Sequence, residues 1–190
     1  MRKLKLQVQM SVDGCVAGPN GEMDWMVWDW DDELNRYVSE LTEPVDTILL
    51  GRKMAGGFIS HWSKVANDPN NPLYAAGKKF TDTPKVVFTK TLEKSEWSNT
   101  AIATGDLASE ITRLKNQNGK DMIVYGGASF VSALIKEGLI DEFHLFINPA
   151  VLGKGLTIFK DVDHKQGLAL VNSASFECGI VLLHYEPKRS

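Results

Sequence analysis

Two stretches of this chain drive a buried strand straight into glycine and then into a helix, and that pattern leaves few folds open. One is Asp46-Thr-Ile-Leu-Leu-Gly51-Arg52-Lys53-Met54, and the other is Asp121-Met-Ile-Val-Tyr-Gly126-Gly127-Ala128-Ser129-Phe130. Apolar strands separated by helical segments pair in parallel, so the chain reads as α/β. Glycine at a helix start lets another group approach the backbone. The first helical turn offers free N–H donors and a partial positive charge. Together these make a phosphate site. Two such sites on one sheet suit a ligand with a diphosphate bridge, which makes a nucleotide cofactor the first hypothesis.

The remaining pattern extends this reading. Leu4 to Met10 alternates as a strand and runs into Ser11-Val-Asp13-Gly14-Cys-Val16-Ala17. Asp31 to Leu41 has helical spacing, with Asp29 or Asp31 as its cap. Thr47 to Leu50 is a strand, and Met54 to Trp62 a short helix. Val65 to Phe80, with Asn67-Asp-Pro-Asn-Asn-Pro72 inside it, reads as a long polar insertion. Strands are expected at Lys85–Thr89, Ala101–Thr104, Met122–Tyr125 and Glu142–Asn148. Helices are expected from Leu107 to about Asn118, capped by Asp106, and from Ala128 to Glu137, closed by Gly138. Leu168 to Glu177 and Ile180 to Glu186 alternate around Cys178-Gly179, a β-hairpin signal. The sum is one domain over residues 1–190, with a mixed, mostly parallel central sheet and an antiparallel C-terminal hairpin.

Bulk properties exclude several classes. A net charge of −3 does not suit a general binder of nucleic acid or of anionic membranes. The first ten residues alternate rather than forming an apolar run, so they are not a signal peptide, and no segment approaches the roughly 20 apolar residues of a membrane helix. The two cysteines, Cys15 and Cys178, form no motif, which suits a reducing compartment. The expected location is cytoplasmic.

Several residues could carry chemistry. Gly51-Arg52-Lys53 places a guanidinium fork and an ammonium at a helix start, where both could hold phosphate oxygens. The alternative is a turn with solvated basic side chains. Gly126-Gly127-Ala128-Ser129 lacks the GxGxxG spacing of an ordinary dinucleotide-binding turn, and a tight βα turn is its alternative. Thr89-Lys90 follows a buried strand and could bind a ribose 2′-phosphate, or be a plain surface loop. Asp13-Gly14 shapes the end of the first strand. Trp25, Trp28 and Trp30 lie among Asp24, Asp29, Asp31, Asp32 and Glu33, and one of these carboxylates could protonate a heteroaromatic ring. Helix capping and packing explain the same residues. The four histidines show no metal spacing, so no metal is expected. There is no GxSxG elbow, and Gly153-Lys154-Gly155 lacks the rest of a Walker A motif.

Taken together, Ser11-Val-Asp13-Gly14 with Val16-Ala17, Ile48-Leu-Leu-Gly51-Arg52-Lys53-Met54, Val124-Tyr-Gly126-Gly127 and Ile147-Asn-Pro149-Ala-Val-Leu-Gly153-Lys-Gly155 with Phe159 resemble the dihydrofolate reductase-like superfamily. Within it the chain is similar to the reductase domain of the bifunctional riboflavin-biosynthesis deaminase–reductase. The resemblance implies a three-layer dihydrofolate reductase-like fold and an NADPH-dependent reductase forming a homodimer. It implies that the nicotinamide lies beside Gln9, Val16 and Ala17. The pyrophosphate would lie against Gly51, Arg52, Lys53, Met54, Gly126, Gly127, Ala128 and Ser129, and the adenosine end near Thr89 and Lys90. Dihydrofolate reductase carries one carboxylate on its first long helix. Here that stretch is rearranged, and Asp32 is the candidate. The expected reaction is hydride transfer to a small pteridine- or pyrimidine-like heterocycle. The alternative is a nucleotide-binding sensor or assembly subunit without turnover, or a scaffold that binds no cofactor.

Overall fold

The computed structural model describes residues 1–188. Its strands are β1 (Leu4–Met10), β2 (Val45–Gly51), β3 (Lys85–Phe88), β4 (Thr100–Ala103), β5 (Asp121–Val124), β6 (Glu142–Ile147), β7 (Leu168–Ser175) and β8 (Val181–Pro187). Its helices are α1 (Asp32–Thr42), α2 (Arg52–Ala66), α3 (Tyr74–Asp82), α4 (Leu107–Lys115) and α5 (Ala128–Lys136). All eight strands join one sheet in the order β4-β3-β2-β5-β1-β6-β8-β7. Pairing is parallel from β4 to β6, and β8 runs antiparallel to both β6 and β7.

Side-chain alternation splits the core between the two faces of the sheet. Leu4, Leu6, Val8 and Met10 of β1 join Leu49, Met122, Val124, Phe143 and Leu145 beneath α4 and α5. On the opposite face, Phe146 and Leu182 pack under Leu34 and Leu41 of α1. Ile48, Leu50, Val87 and Ile123 pack with Ala55, Phe58 and Phe80 of α2 and α3. Asp31 caps α1, its carboxylate accepting from the Leu34 N–H at 2.9 Å and from the Cys178 N–H at 3.0 Å. Asp106 caps α4 through the Ser109 N–H.

The polar insertion expected over residues 65–80 is corrected by the structure. α2 runs on to Ala66, and α3 begins at Tyr74, so only the Asn- and Pro-rich stretch between them is irregular. The cause is a helical face that the loop residues obscured. Phe80 lies 4.3 Å from the Trp62 ring and 5.5 Å from the Phe58 ring, centroid to centroid. Gly77 makes the packing possible, because a Cβ there would stand 2.7 Å from Val65 Cγ1 and 2.8 Å from the Ala66 nitrogen.

A buried polar network interrupts the apolar layer under α1. Tyr37 Oη bonds His144 Nδ1 at 2.7 Å, and His144 Nε2 bonds Glu142 Oε2 at 3.2 Å. Burial and the Glu142 charge push the Tyr37 phenol up to about 12, so it stays a neutral hydroxyl. Glu142, held ionised, can only accept, so His144 Nε2–H is the donor to it. Lys3 reaches Glu142 Oε1 at 2.6 Å, and Lys5 lies 3.2 Å from Asp121 and 3.9 Å from Glu142. The His144 hydrogen bond, helped by Lys3 and Lys5, lowers the Glu142 carboxyl from 4.5 to about 2. A carboxyl depressed in the folded state stabilises the fold above its unfolded pKa, and that contribution is lost on acidification. Urea titrations across pH should therefore show wild-type stability falling between about pH 4.5 and 2 through this group. Glu142→Gln should be less stable at neutral pH and show a shallower acid limb. Parallel limbs in the two proteins would show that Glu142 does not contribute.

Candidate functional site

The carboxyl ends of five parallel strands lie side by side and present, in sheet order, Thr89, Gly51, Gly126, Gln9 and Asn148. The two strand-to-glycine junctions are neighbours, since β2 pairs with β5. Their helices leave for opposite faces: α2 packs with Ile48 and Leu50, whereas α5 packs with Leu49 and Val124. Adjacent strands whose helices diverge open a crevice at the sheet edge, the usual ligand position in open α/β sheets.

The junctions also touch across that edge. A Cβ on Gly51 would stand 2.7 Å from the Cβ of Phe130 on α5. One on Gly126 would stand 3.7 Å from Met54 Sδ on α2. Gly126 and Gly127 have φ of 151° and 84°, conformations that L side chains rarely adopt. Gly51 and Gly127 are the N-caps of α2 and α5, and neither helix has a side-chain cap. Both first turns therefore keep backbone N–H groups for another acceptor. Ala128 and Ser129 open α5, with Ser129 exposed.

Arg52 and Lys53 are exposed at the start of α2. The Arg52 guanidinium lies 5.7 Å from the Trp97 ring centroid, a cation–π contact that steadies it beside the junction. Thr89 is buried, and its hydroxyl accepts from the Thr91 and Leu92 N–H groups at 3.1 and 3.3 Å. It shapes the loop, while Lys90 beside it is exposed.

At the other end of the row, Gln9 Oε1 accepts from Asn148 Nδ2 at 2.6 Å. Asn148 is fully buried, and its Oδ1 accepts from the Val27 N–H at 2.8 Å. It thus ties the tryptophan-bearing segment to the ends of β1 and β6. Trp30 packs beside the α1 cluster and Trp28 is exposed. Val16 and Ala17 are buried and pair with Leu156. Asp13 accepts from the Leu152 and Gly153 N–H groups at 3.1 and 2.6 Å. The hydrogen bond from the Ser11 hydroxyl, followed by these two, lowers its carboxyl to about 2. Gly155 lies so close to the Ala17 carbonyl oxygen and Cys15 that a side chain would collide. Gly153-Lys154-Gly155 is therefore a turn clasped to the end of β1.

Asp32 is exposed in the first turn of α1 and makes no hydrogen bond or ion pair among the described residues. Sequence reasoning missed Asn148 and Trp97 as parts of the site. A buried asparagine straight after an apolar strand was the available signal for the first. Nothing local marked the second.

Glu142, His144 and His184 each place a donor atom within 4.8 Å of the others. Linear spacing hid this group because β6–β8 pairing brings His184 opposite His144. Lys3 and Lys5 already compensate Glu142, and His144 Nε2 is directed at the carboxylate, so the group acts as a packing network. A depression lined by Arg2, Asp46, Thr47 and Lys79 opens at the strand starts, on the opposite edge from the glycine junctions.

Comparisons with known proteins agree with this fold. The uncharacterized protein YyaP of Bacillus subtilis (strain 168) is 35% identical over 185 residues, covering 97% of this chain and 94% of YyaP. YwjB of the same organism is 28% identical over 184 residues, covering 97% of each chain. A putative riboflavin biosynthesis protein from Shewanella sp. PV-4 superposes with a TM-score of 0.75 at 22% identity over 100% of both chains. The Thermotoga maritima diaminohydroxyphosphoribosylaminopyrimidine deaminase/5-amino-6-(5-phosphoribosylamino)uracil reductase gives 0.68 at 21% identity, over 98% of this chain and 57% of that one. These two structures share the fold. Residues 2–182 match the RibD C-terminal domain model, and with that match the chain belongs to the RibD C-terminal (reductase) domain family and has its dihydrofolate reductase-like fold.

Proposed function

We propose that the protein is a reductase that uses NADPH to reduce a C=N or C=O bond of a small pteridine- or pyrimidine-like heterocycle. The observation that carries this reading is the pair of neighbouring helix starts, both capped by glycine and lacking a side-chain cap, that touch at the carboxyl edge of the sheet. They fit a pyrophosphate: the side-chain-free surface of Gly126 and Gly127 admits close approach, and two sets of N–H donors face a doubly charged bridge. Three strand spacings, about 14 Å, separate the β3 end from the β1 end, which suits an extended dinucleotide.

In this reading Arg52, steadied on Trp97, and Lys53 hold phosphate oxygens, with Met54 and Ala128 lining the bridge and Ser129 beside it. Lys90 meets a ribose 2′-phosphate, and Thr89 keeps its loop in shape. Gln9, Val16 and Ala17 orient the nicotinamide end, with Gln9 fixed by Asn148. The bound cofactor supplies the hydride. The protein supplies alignment, which removes a large part of the barrier when the reacting atoms are held about 3–3.5 Å apart. No helix among the described residues is long and apolar enough to cross a membrane. A homodimer in the cytoplasm completes the proposal.

One observation favours a second reading, a nucleotide-binding sensor without turnover: Asp32 faces solvent, and among the described residues no carboxylate is bonded into the Gln9–Asn148 pair. Absorbance of reduced nicotinamide separates the two. Oxidation on adding pterins, pyrimidines or 5-amino-6-(5-phosphoribosylamino)uracil supports the enzyme; binding without oxidation supports the sensor.

Charge-assisted hydrogen bonds contribute about 1.5–3 kcal/mol, so Arg52→Ala should weaken NADPH binding about 10- to 100-fold in a fluorescence titration. An unchanged dissociation constant would remove Arg52 from the site. Lys90→Ala should narrow the preference for NADPH over NADH, and a constant affinity ratio would defeat the 2′-phosphate role.

A further inference from the structure

The odd-numbered residues of β1 form a polar row, Lys5, Gln7 and Gln9, lying between the apolar cluster under α1 and the one under α2 and α3. Both outer members have partners. Lys5 meets Asp121 at 3.2 Å, and Gln9 meets Asn148 at 2.6 Å. The middle one does not. Gln7 is 7% exposed, and its Oε1 is buried without a hydrogen-bond partner. Buried amides are ordinarily satisfied, and one left unpaired costs stability. Retaining such a group at the centre of a sheet has a physical rationale if a ligand completes it.

The surroundings indicate which ligand. Gln7 is in register with His144 on β6, whose ring is held by the Tyr37 hydroxyl. On the other side β5 pairs Val124 with Leu6, so Tyr125, the next residue, comes level with Gln7. Tyr125 stacks on Phe58 of α2 at 5.9 Å and 18°, and burial raises its phenol above the ordinary range, leaving it a neutral donor. Two fixed aromatic side chains therefore flank one free amide. Gln9 lies two residues nearer the sheet edge, about 7 Å away, the span of a one- or two-ring heterocycle. A primary amide pairs with both positions of a lactam edge, its oxygen accepting the ring N–H and its NH2 donating to the adjacent carbonyl.

We propose that Gln7 is the specificity residue of the substrate cleft and reads the lactam edge of a flat, uncharged heterocycle lying over β1, with Tyr125 donating to a ring acceptor. This rests on the reductase reading for what lies at the Gln9 end, whereas the amide recognition itself needs no cofactor. The preference is for a ring N–H beside a carbonyl, and rings alkylated at that nitrogen are rejected.

The probes are lumazine, a pteridinedione with ring N–H groups beside carbonyls, and 1,3-dimethyllumazine, which lacks those N–H groups. Wild-type protein, titrated with and without saturating NADP+, should bind lumazine about 10- to 100-fold more tightly than the dimethyl compound. Gln7→Leu and Gln7→Met should lose that discrimination. The ligand-free variants should also melt about 2–4 °C higher, because the unpaired amide is gone. Discrimination that persists in both variants, or wild type that binds neither compound, overturns the proposal. A lower melting temperature in both variants does so as well, since it would mean that a neighbour or a water already satisfies Gln7. NADPH titration of wild type is read separately: its failure would remove the reductase reading while the lumazine comparison still decides the role of Gln7.

Discussion

The closeness of two backbone segments at the carboxyl edge of the sheet governs the rest of the structure. Gly51 has Phe130 against it, and Gly126 has Met54 near it. Each junction is thus packed by a side chain from the other's helix. A methyl group on Gly51 would force α5 away from β2, and overpacking of this kind typically costs about 1–3 kcal/mol. The same contact brings two uncapped helix starts to one point, although their helices lie on opposite faces. Close packing and the exposure of two uncapped helix starts therefore share one geometric requirement.

β1 carries a second constraint. Its even-numbered residues lie in the core at 4% exposure or less, while of its polar odd-numbered residues Lys5 and Gln7 are nearly as buried and Gln9 is half-buried. Polar groups in such a layer need partners. The Lys5–Asp121 pair and the Gln9–Asn148–Val27 chain supply them at the two ends, each fixing an element that borders the cleft. The first ties β1 to β5, and the second anchors the tryptophan segment. Stability of the sheet and the shape of the cleft thus come from the same bonds.

Much of this was legible in the amino-acid pattern because it depends on local chemistry. Alternation disclosed β1 and the final hairpin. Glycine after an apolar run disclosed both junctions, Asp106 announced the helix it caps, and of the two candidates Asp29 and Asp31 the second caps α1. What escaped depends on distant partners. The Asn- and Pro-rich stretch after α2 concealed α3, whose helix is secured by Phe80 and Gly77 packing on α2. Trp97 meets Arg52 only because the segment between β3 and β4 folds back toward α2. Glu142, His144 and His184 converge only once β8 pairs with β6. Asp32, the candidate taken from the dihydrofolate reductase resemblance, is exposed beside Asp31, whose carboxylate caps α1.

The seating of α3 on α2 reaches further than local packing. α2 has 15 residues, about 22 Å of helix, with the glycine-capped first turn at one end and the Gly77 notch near the other. Clamped there, the helix has little freedom to tilt, and the aim of its amino-terminal dipole is set by a contact remote from any ligand. Substitutions in the notch would act as on the far arm of a lever, misdirecting the first turn of α2 without touching it.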